Sequence, residues 1–224
     1  MNTANQKTKV AIIGLGNIGR AIATNLVKGN HSVILSSREI DKAKTIAAEL
    51  GALATAEETA KAIMDADIII PAIYFDKIKE FLVEYSEELK GKVIIDVSNP
   101  IAPDGNGGFK KIIDKDTSAG QTLLALSPKD ASLVKAFGTL GAGSLSGDAF
   151  AEPARKVLFY ASDSTNSNNQ IEELITDSGF KPFHIGGINQ SIRIEVFGDL
   201  HEFGALGKPV TIEEAKDALN QHIN

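Results

Sequence analysis

The chain has 224 residues, 43% hydrophobic and 23% charged, with a formal net charge of −6 and no cysteine. That composition is ordinary for a globular domain with a sizeable core, and the missing cysteines exclude disulfides, thiolate catalysis, Cys-ligated zinc and iron–sulfur clusters. The negative charge argues against nucleic-acid partners, since duplex recognition rests on neutralising phosphates.

The opening "MNTANQKTKV" lacks the apolar core of a signal peptide. No apolar run approaches the roughly 20 residues of a membrane span. A cytoplasmic location without a membrane partner is therefore the expectation. Strand-length apolar runs then alternate with helix-period segments, which predicts an α/β fold of Rossmann type, a doubly wound and mostly parallel sheet. The runs "KVAIIGLG", "SVILSSR", "DIIIPAI" and "KVIIDVSN" start at Lys9, Ser32, Asp67 and Lys92. Their near-continuous Val and Ile suit strands covered on both faces. Between them "NIGRAIATNLVKG", "DKAKTIAAELG" and "FDKIKEFLVEYSEELKG" read as helices closed by glycine. The spacing of Thr55 and Glu58 predicts a further helix starting at Thr55. Residues 100–120 collect loop signals and read as a surface excursion.

Farther on, "LVKAFGT" and "KVLFYASD" predict strands, "SDSTNSNNQ" a solvated loop, "NQIEELITDSGF" a helix ending at Gly179, and "KPFHIGG" a short strand. Ile188, Ile192, Val196, Leu200 and Phe203 form an apolar stripe at helical spacing. It predicts a helix over residues 188–206 that supports a homodimer. "TIEEAKDALNQH" carries a Thr211/Glu214 capping box and reads as a terminal helix. The organisation expected is a dinucleotide-binding domain over residues 1–140 and a smaller C-terminal α/β lobe over residues 141–224 for acceptor binding and dimerisation.

Gly14, Gly16 and Gly19 spell G-x-G-x-x-G between the first strand and the first helix. In that context the first glycine allows the tight turn, the second lets a pyrophosphate approach the backbone, and the third lets helix and strand pack closely. Free N–H groups near Asn17 and Ile18, with the helix dipole behind them, favour an anion. At the end of the second strand, where an NAD site usually carries Asp or Glu, the chain has Ser36, Ser37 and Arg38. Two hydroxyls and a guanidinium suit the 2′-phosphate of NADP(H). Glu39 is the competing feature, because a one-residue shift would place a carboxylate near the ribose.

The segments "IIGLGNIG", "SSR", Asp96 to Pro100, "KAFGTL" and "GFKPFHIGG" together resemble the NADP oxidoreductase family that includes the deazaflavin-using coenzyme F-420-dependent NADP reductase. The reductase domains of ferric reductases are similar over the first half. The resemblance implies dimerisation and hydride transfer between NADP(H) and a flavin or deazaflavin co-substrate. It places Pro71, Ala72 and Ile73 along the nicotinamide half of the cofactor, with Ser98, Asn99 and Pro100 over the same crevice. Prolines 71 and 100 also read simply as strand terminators. Relatives often have Asn where this chain has Gly138, and an Arg three residues before the position of Glu195, where this chain has Ile192 followed by Arg193. The electron acceptor is thus left open.

No acid–base pair is expected, because cofactors carry the chemistry of hydride transfer. No His/Asp/Glu grouping has the spacing of a metal site. His31 falls in a turn, His201 on the polar side of the 188–206 helix, and His222 at the terminus, outside the residues described below. His184 reads as structural before catalytic. An NADP-binding sensor without turnover and a small imine or keto reductase are the alternatives. The latter usually add a large helical domain that residues 141–224 do not match.

Overall fold

The computed structural model describes residues 7–221. In chain order they form β1 (Val10–Ile13), α1 (Asn17–Lys28), β2 (Val33–Ser36), α2 (Ile40–Leu50), β3 (Ala54–Ala56), α3 (Thr59–Asp65), β4 (Ile68–Pro71), α4 (Phe75–Glu84) and β5 (Val93–Asp96). There follow β6 (Ile101–Pro103), β7 (Phe109–Lys111), α5 (Ala119–Leu124), β8 (Ser132–Lys135), α6 (Ala142–Gly147), β9 (Val157–Ser162), α7 (Thr165–Asp177) and β10 (Lys181–His184). A 3₁₀ helix over Ile188–Ile194 and α8 (Ile212–Gln221) complete the described chain.

Eight strands make one sheet in the order β10-β9-β8-β5-β4-β1-β2-β3. Every pair is parallel except β8 with β9. This is a Rossmann-like α/β fold. The chain winds outward from β1 through β2 to β3, then returns to β4 and proceeds the other way. That reversal opens a crevice between β1 and β4 at the carboxyl edge of the sheet, where open α/β sheets bind ligands.

The apolar runs explain themselves through the pleat. Successive side chains of a strand point to opposite faces, so Val10, Ile12, Ile68 and Ile70 join one core while Ala11, Ile13, Ile69 and Ile94 join the other. The first core packs against α1 and α7 through Ile22, Leu26, Ile171 and Leu174. The second packs against α3, α4 and α5 through Ile63, Ile78, Leu82 and Leu123. Burying each such Ile or Leu contributes about 1.5–3 kcal/mol. A third cluster joins Val157, Phe159 and Ala161 of β9 to Ile194, Leu200, Val210 and Ala215, so the C-terminal segment covers one face of the sheet's far end.

Several expectations are corrected. Thr55 does not begin a helix: it lies in β3 opposite Ile34, and Val33 donates to the Leu53 carbonyl while Glu57 donates to that of Leu35. Strand pairing uses the backbone groups a cap would have served, and the helix starts at Thr59. Residues 165–170 of the polar "SDSTNSNNQ" are the first half of α7, because Ser167, Ile171 and Leu174 share its buried face. The helix beginning at Phe75 ends at Glu84 instead of running to Gly91. The 100–120 excursion holds the β6–β7 hairpin and the first turn of α5, which Ser118 caps by accepting the Gln121 N–H at 3.0 Å.

The largest departure is at residues 188–206. Only Ile188–Ile194 is helical, as a 3₁₀ turn. Glu195 is extended (φ −89°, ψ 162°) and Phe197 has φ 73°, so no continuous helix passes through them. Ile188 and Leu200 are buried in two of the chain's own core clusters and Val196 is buried as well, while Phe203 is 61% exposed. The stripe is largely internal packing. The Thr211/Glu214 capping box is present as expected, Thr211 N–H donating to the Glu214 carboxylate at 2.8 Å.

Candidate functional site

Three loops leave the carboxyl edge side by side. Ile13 at the end of β1 is aligned with Ser36 of β2 on one side and Pro71 of β4 on the other. Gly14 donates to the Ser36 carbonyl at 2.8 Å and Ala72 donates to that of Ile13 at 2.8 Å. The glycine loop, the Ser37–Glu39 bend and the Ala72–Tyr74 loop therefore start at one level.

Two of the three glycines are demanded by the protein itself. Gly14 has φ +98°, and a Cβ there would lie 2.6 Å from both the Ala72 carbonyl oxygen and Ile73 Cγ2. A Cβ on Gly19 would collide with the Gly14 carbonyl oxygen. Gly16 is different. A Cβ there would meet nothing within 4 Å, its φ is an ordinary −75°, and it stands at the N-cap of α1 with no capping side chain. No acidic residue occupies the first turn of α1. The amides of Asn17, Ile18 and Gly19, which precede the first intrahelical bond from Arg20 to the Gly16 carbonyl, face an open cradle with the positive end of the helix dipole behind it.

The end of β2 separates the predicted phosphate ligands. Ser36 is fully buried and its hydroxyl is hydrogen-bonded to that of Thr59 at 3.0 Å, so it belongs to the scaffold. Ser37 is half-buried, its hydroxyl donating to the Glu39 carbonyl at 2.6 Å. Arg38 is exposed and forms no ion pair with another described residue. Glu39 occupies the N-cap position of α2, three residues beyond the strand end.

Pro71 is buried, with Ala72 and Ile73 half-buried beside the glycine loop. Ser98, Asn99 and Pro100 sit at the end of β5, but the polar side chains there are already engaged. Asp96 Oδ1 accepts the Ser98 N–H at 2.8 Å and the Ser98 hydroxyl at 2.7 Å. Asn99 donates to the Gly138 carbonyl at 2.9 Å and accepts the Val196 N–H at 2.7 Å. These three residues therefore offer the crevice backbone and shape rather than free side-chain donors.

Sequence reasoning missed what lies beneath them. Asp96 and Lys135 are aligned across β5 and β8, both fully buried, and joined at 2.7 Å. Lys135 also donates to the Ser98 carbonyl. A Cβ on Gly138 would lie 2.9 Å from the Val97 carbonyl oxygen, so an Asn at that position would require the loop to shift. His201, expected on a polar face, is buried: its Nδ1 accepts the Phe203 N–H at 2.9 Å and its Nε2–H donates to Gly138 O at 2.9 Å. Burial, with a smaller contribution from the Lys135 charge, pushes its pKa down to about 4. Glu195 accepts the N–H groups of Ala119 and Gly120 at 3.0 and 3.1 Å, while Glu202 accepts that of Gly141 and the Ser144 hydroxyl. Each supplies a negative charge to a helix start from a distant part of the chain. Their only sequence signal was acidity within an apolar stripe.

The other two described histidines, His31 and His184, are held by the scaffold. His31 is buried between Asp177 at 2.8 Å and the Thr8 carbonyl at 2.9 Å. His184 is exposed and stacks on Tyr160 with ring centroids 4.8 Å apart. A cavity of about 420 Å³ lies between α1 and α6, lined by Asn17, Arg20, Thr24, Asn25, Gly143 and Ser146 among others. It shares Asn17 with the cradle. No helix among the described residues is long and apolar enough to cross a membrane.

Residues 9–100 match the family model described as NADP oxidoreductase coenzyme F420-dependent. The metalloreductase STEAP3 of Rattus norvegicus is 26% identical over 84% of this chain and 36% of its own length, so the chain spans about a third of that curated relative. A hypothetical protein, SMa0349 from Sinorhizobium meliloti, superposes with a TM-score of 0.80 at 29% identity, covering 93% of this chain and 97% of that one. A putative F420-dependent NADP-reductase from Arthrobacter sp. FB24 superposes at 0.71 with 19% identity, over 83% and 87% of the two chains, a likeness of fold. Over residues 9–100, less than half of its length, the chain is therefore similar to the family described as NADP oxidoreductase coenzyme F420-dependent.

Proposed function

We propose that this protein binds NADP(H) and transfers a hydride between it and a flavin-like or deazaflavin acceptor. The observation that carries the reading is Gly16. Nothing among the described residues requires a glycine there, yet a side chain would fill the space above the free amides of α1. A pyrophosphate on the backbone accounts for it.

In this reading Gly14, Gly16, Asn17, Ile18 and Gly19 hold the pyrophosphate by backbone N–H groups and close approach. Ser37 and Arg38 bind the 2′-phosphate, and buried Ser36 supports their bend. Pro71, Ala72, Ile73 and Ser98 to Pro100 shape the nicotinamide end. When bound, NADPH supplies the hydride. The protein's part is to bring the two rings face to face with reacting carbons about 3–3.5 Å apart and to keep water away with Pro71, Ile73 and Pro100. Residues 1–140 then act as the cofactor domain, and residues 141–224 complete the cleft and carry a homodimer contact around the exposed Phe197 and Phe203.

Steady-state NADPH oxidation with a panel of acceptors tests the reading: FMN, FAD, riboflavin, a deazaflavin and ferric chelates. Turnover with at least one flavin-like acceptor is expected. NADPH binding without turnover on any of them would instead identify a sensor.

A further inference from the structure

The buried pair Asp96–Lys135 is costly to maintain, because two charges removed from water are repaid only by full hydrogen bonding. Here the bonding is directed at one turn. Asp96 Oδ1 takes both the N–H and the hydroxyl of Ser98, Asp96 Oδ2 takes the ammonium at 2.7 Å, and the ammonium reaches back to the Ser98 carbonyl. Both faces of the Ser98 backbone are thus held by the same ion pair. The next residue, Asn99, ties this turn to the Gly138 carbonyl and to Val196, and His201 donates to the same carbonyl. Between Lys135 and Gly138 the chain passes through Phe137, fully buried and at φ 61°. A bulky residue in that region is strained and persists only where its surroundings over-determine it.

We propose that Lys135 and Asp96 are positioning residues, which fix the Ser98–Pro100 turn and so set the nicotinamide end of the crevice without touching the cofactor. The proposal rests on the NADP(H) reading above. A purely structural ion pair makes a different prediction. Buried pairs replaced by uncharged residues of similar volume often leave a fold as stable as before, whereas removing one partner is strongly destabilising.

The test compares wild type, Lys135→Met, and the double variant Asp96→Asn/Lys135→Met by thermal unfolding and by calorimetric titration of two ligands. One is NADPH. The other is adenosine 2′,5′-bisphosphate, which carries the 2′-phosphate but no nicotinamide half. Lys135→Met alone is expected to melt well below wild type, and the double variant to recover most of the loss. The recovered protein should bind the bisphosphate as wild type does and NADPH about tenfold more weakly, since the Ser98–Pro100 turn bears only on the nicotinamide half. A double variant that binds both ligands like wild type overturns the positioning role and leaves the cofactor reading intact. Equal weakening of both ligands overturns it as well, because the ion pair would then serve the whole domain. A wild type that binds neither ligand overturns the cofactor reading and this proposal together. If the double variant does not fold, Ser98→Ala, which removes one of the two bonds Ser98 makes to Asp96, is expected to reproduce the split between the two ligands. A Ser98→Ala protein that binds both ligands as wild type does overturns the positioning role.

Discussion

Gly14 donates its N–H to the carbonyl of Ser36 at 2.8 Å, locking the glycine loop to the end of β2. The bond brings the glycine loop and the Ser37–Arg38 bend to one level of the sheet edge. One ligand can therefore span both.

Replacing Gly16 by Val separates ligand from fold. With no protein atom within 4 Å of a Cβ at this position, the variant should fold with a melting temperature close to wild type, while NADPH binding is lost. Gly19→Val should instead fail in folding, since its Cβ collides with the Gly14 carbonyl. Circular dichroism melts with a cofactor titration check both. Retained NADPH affinity in Gly16→Val would mean that no phosphate approaches this backbone.

His201 makes stability depend on acid. Its folded pKa, about 4, lies below the ordinary imidazole value of 6.5. Between those values the unfolded chain takes up a proton that the folded one refuses. The stabilisation is full above pH 6.5 and is lost as pH falls towards 4, reaching about 3 kcal/mol. Urea unfolding of wild type and His201→Gln at pH 7.5 and 4.5 reads it as a difference, so that other titrations cancel. The advantage of wild type should shrink at the lower pH; a constant difference would show that the ring is solvated.

Glu195 stands in for a helix cap. Glu195→Ala would strand the buried N–H groups of Ala119 and Gly120, each at about 1–3 kcal/mol. A fall in melting temperature of about 4–24 °C is expected for a chain of this size, with Glu195→Gln intermediate because its amide oxygen still accepts. A change under 1 °C would mean that the helix start is served by water.

Phe197 and Phe203 are 53% and 61% exposed on the C-terminal segment. Phe197 also holds a left-handed backbone, φ 73°, that costs about 1–3 kcal/mol. Sedimentation equilibrium at micromolar concentration should find a homodimer for wild type and a monomer for Phe197→Glu. A monomeric wild type would refute the dimer.

The sheet was legible because its strands are buried on both faces, so the Val and Ile runs of β1, β2, β4 and β5 stand out without alternation. The glycine cradle was legible for a local reason: three residues within six positions carry the whole geometry. What escaped was whatever depends on distant partners. Thr55 satisfies a local capping rule, but Leu35 and Val33 recruit that segment to the sheet. The stripe from Ile188 to Phe203 has helical period, yet three of its members are buried from a 3₁₀ turn and a loop because Asn99, Gly138 and the start of α5 offer hydrogen bonds to that segment. Ser36 reads as a phosphate ligand in the sequence, but Thr59, 23 residues on, holds its hydroxyl. The Asp96–Lys135 pair spans 39 residues and has no motif of its own.

The central claim is that the cofactor is NADP(H), recognised through its 2′-phosphate by Arg38 beside the glycine loop. Calorimetric titration of NADPH and NADH into wild type and Arg38→Ala tests it directly. A charge-assisted bond to a phosphate contributes about 1.5–3 kcal/mol, so NADPH should bind wild type about 10- to 100-fold more tightly than NADH, and Arg38→Ala should remove most of that difference. Equal affinities of the two cofactors for wild type would contradict the account.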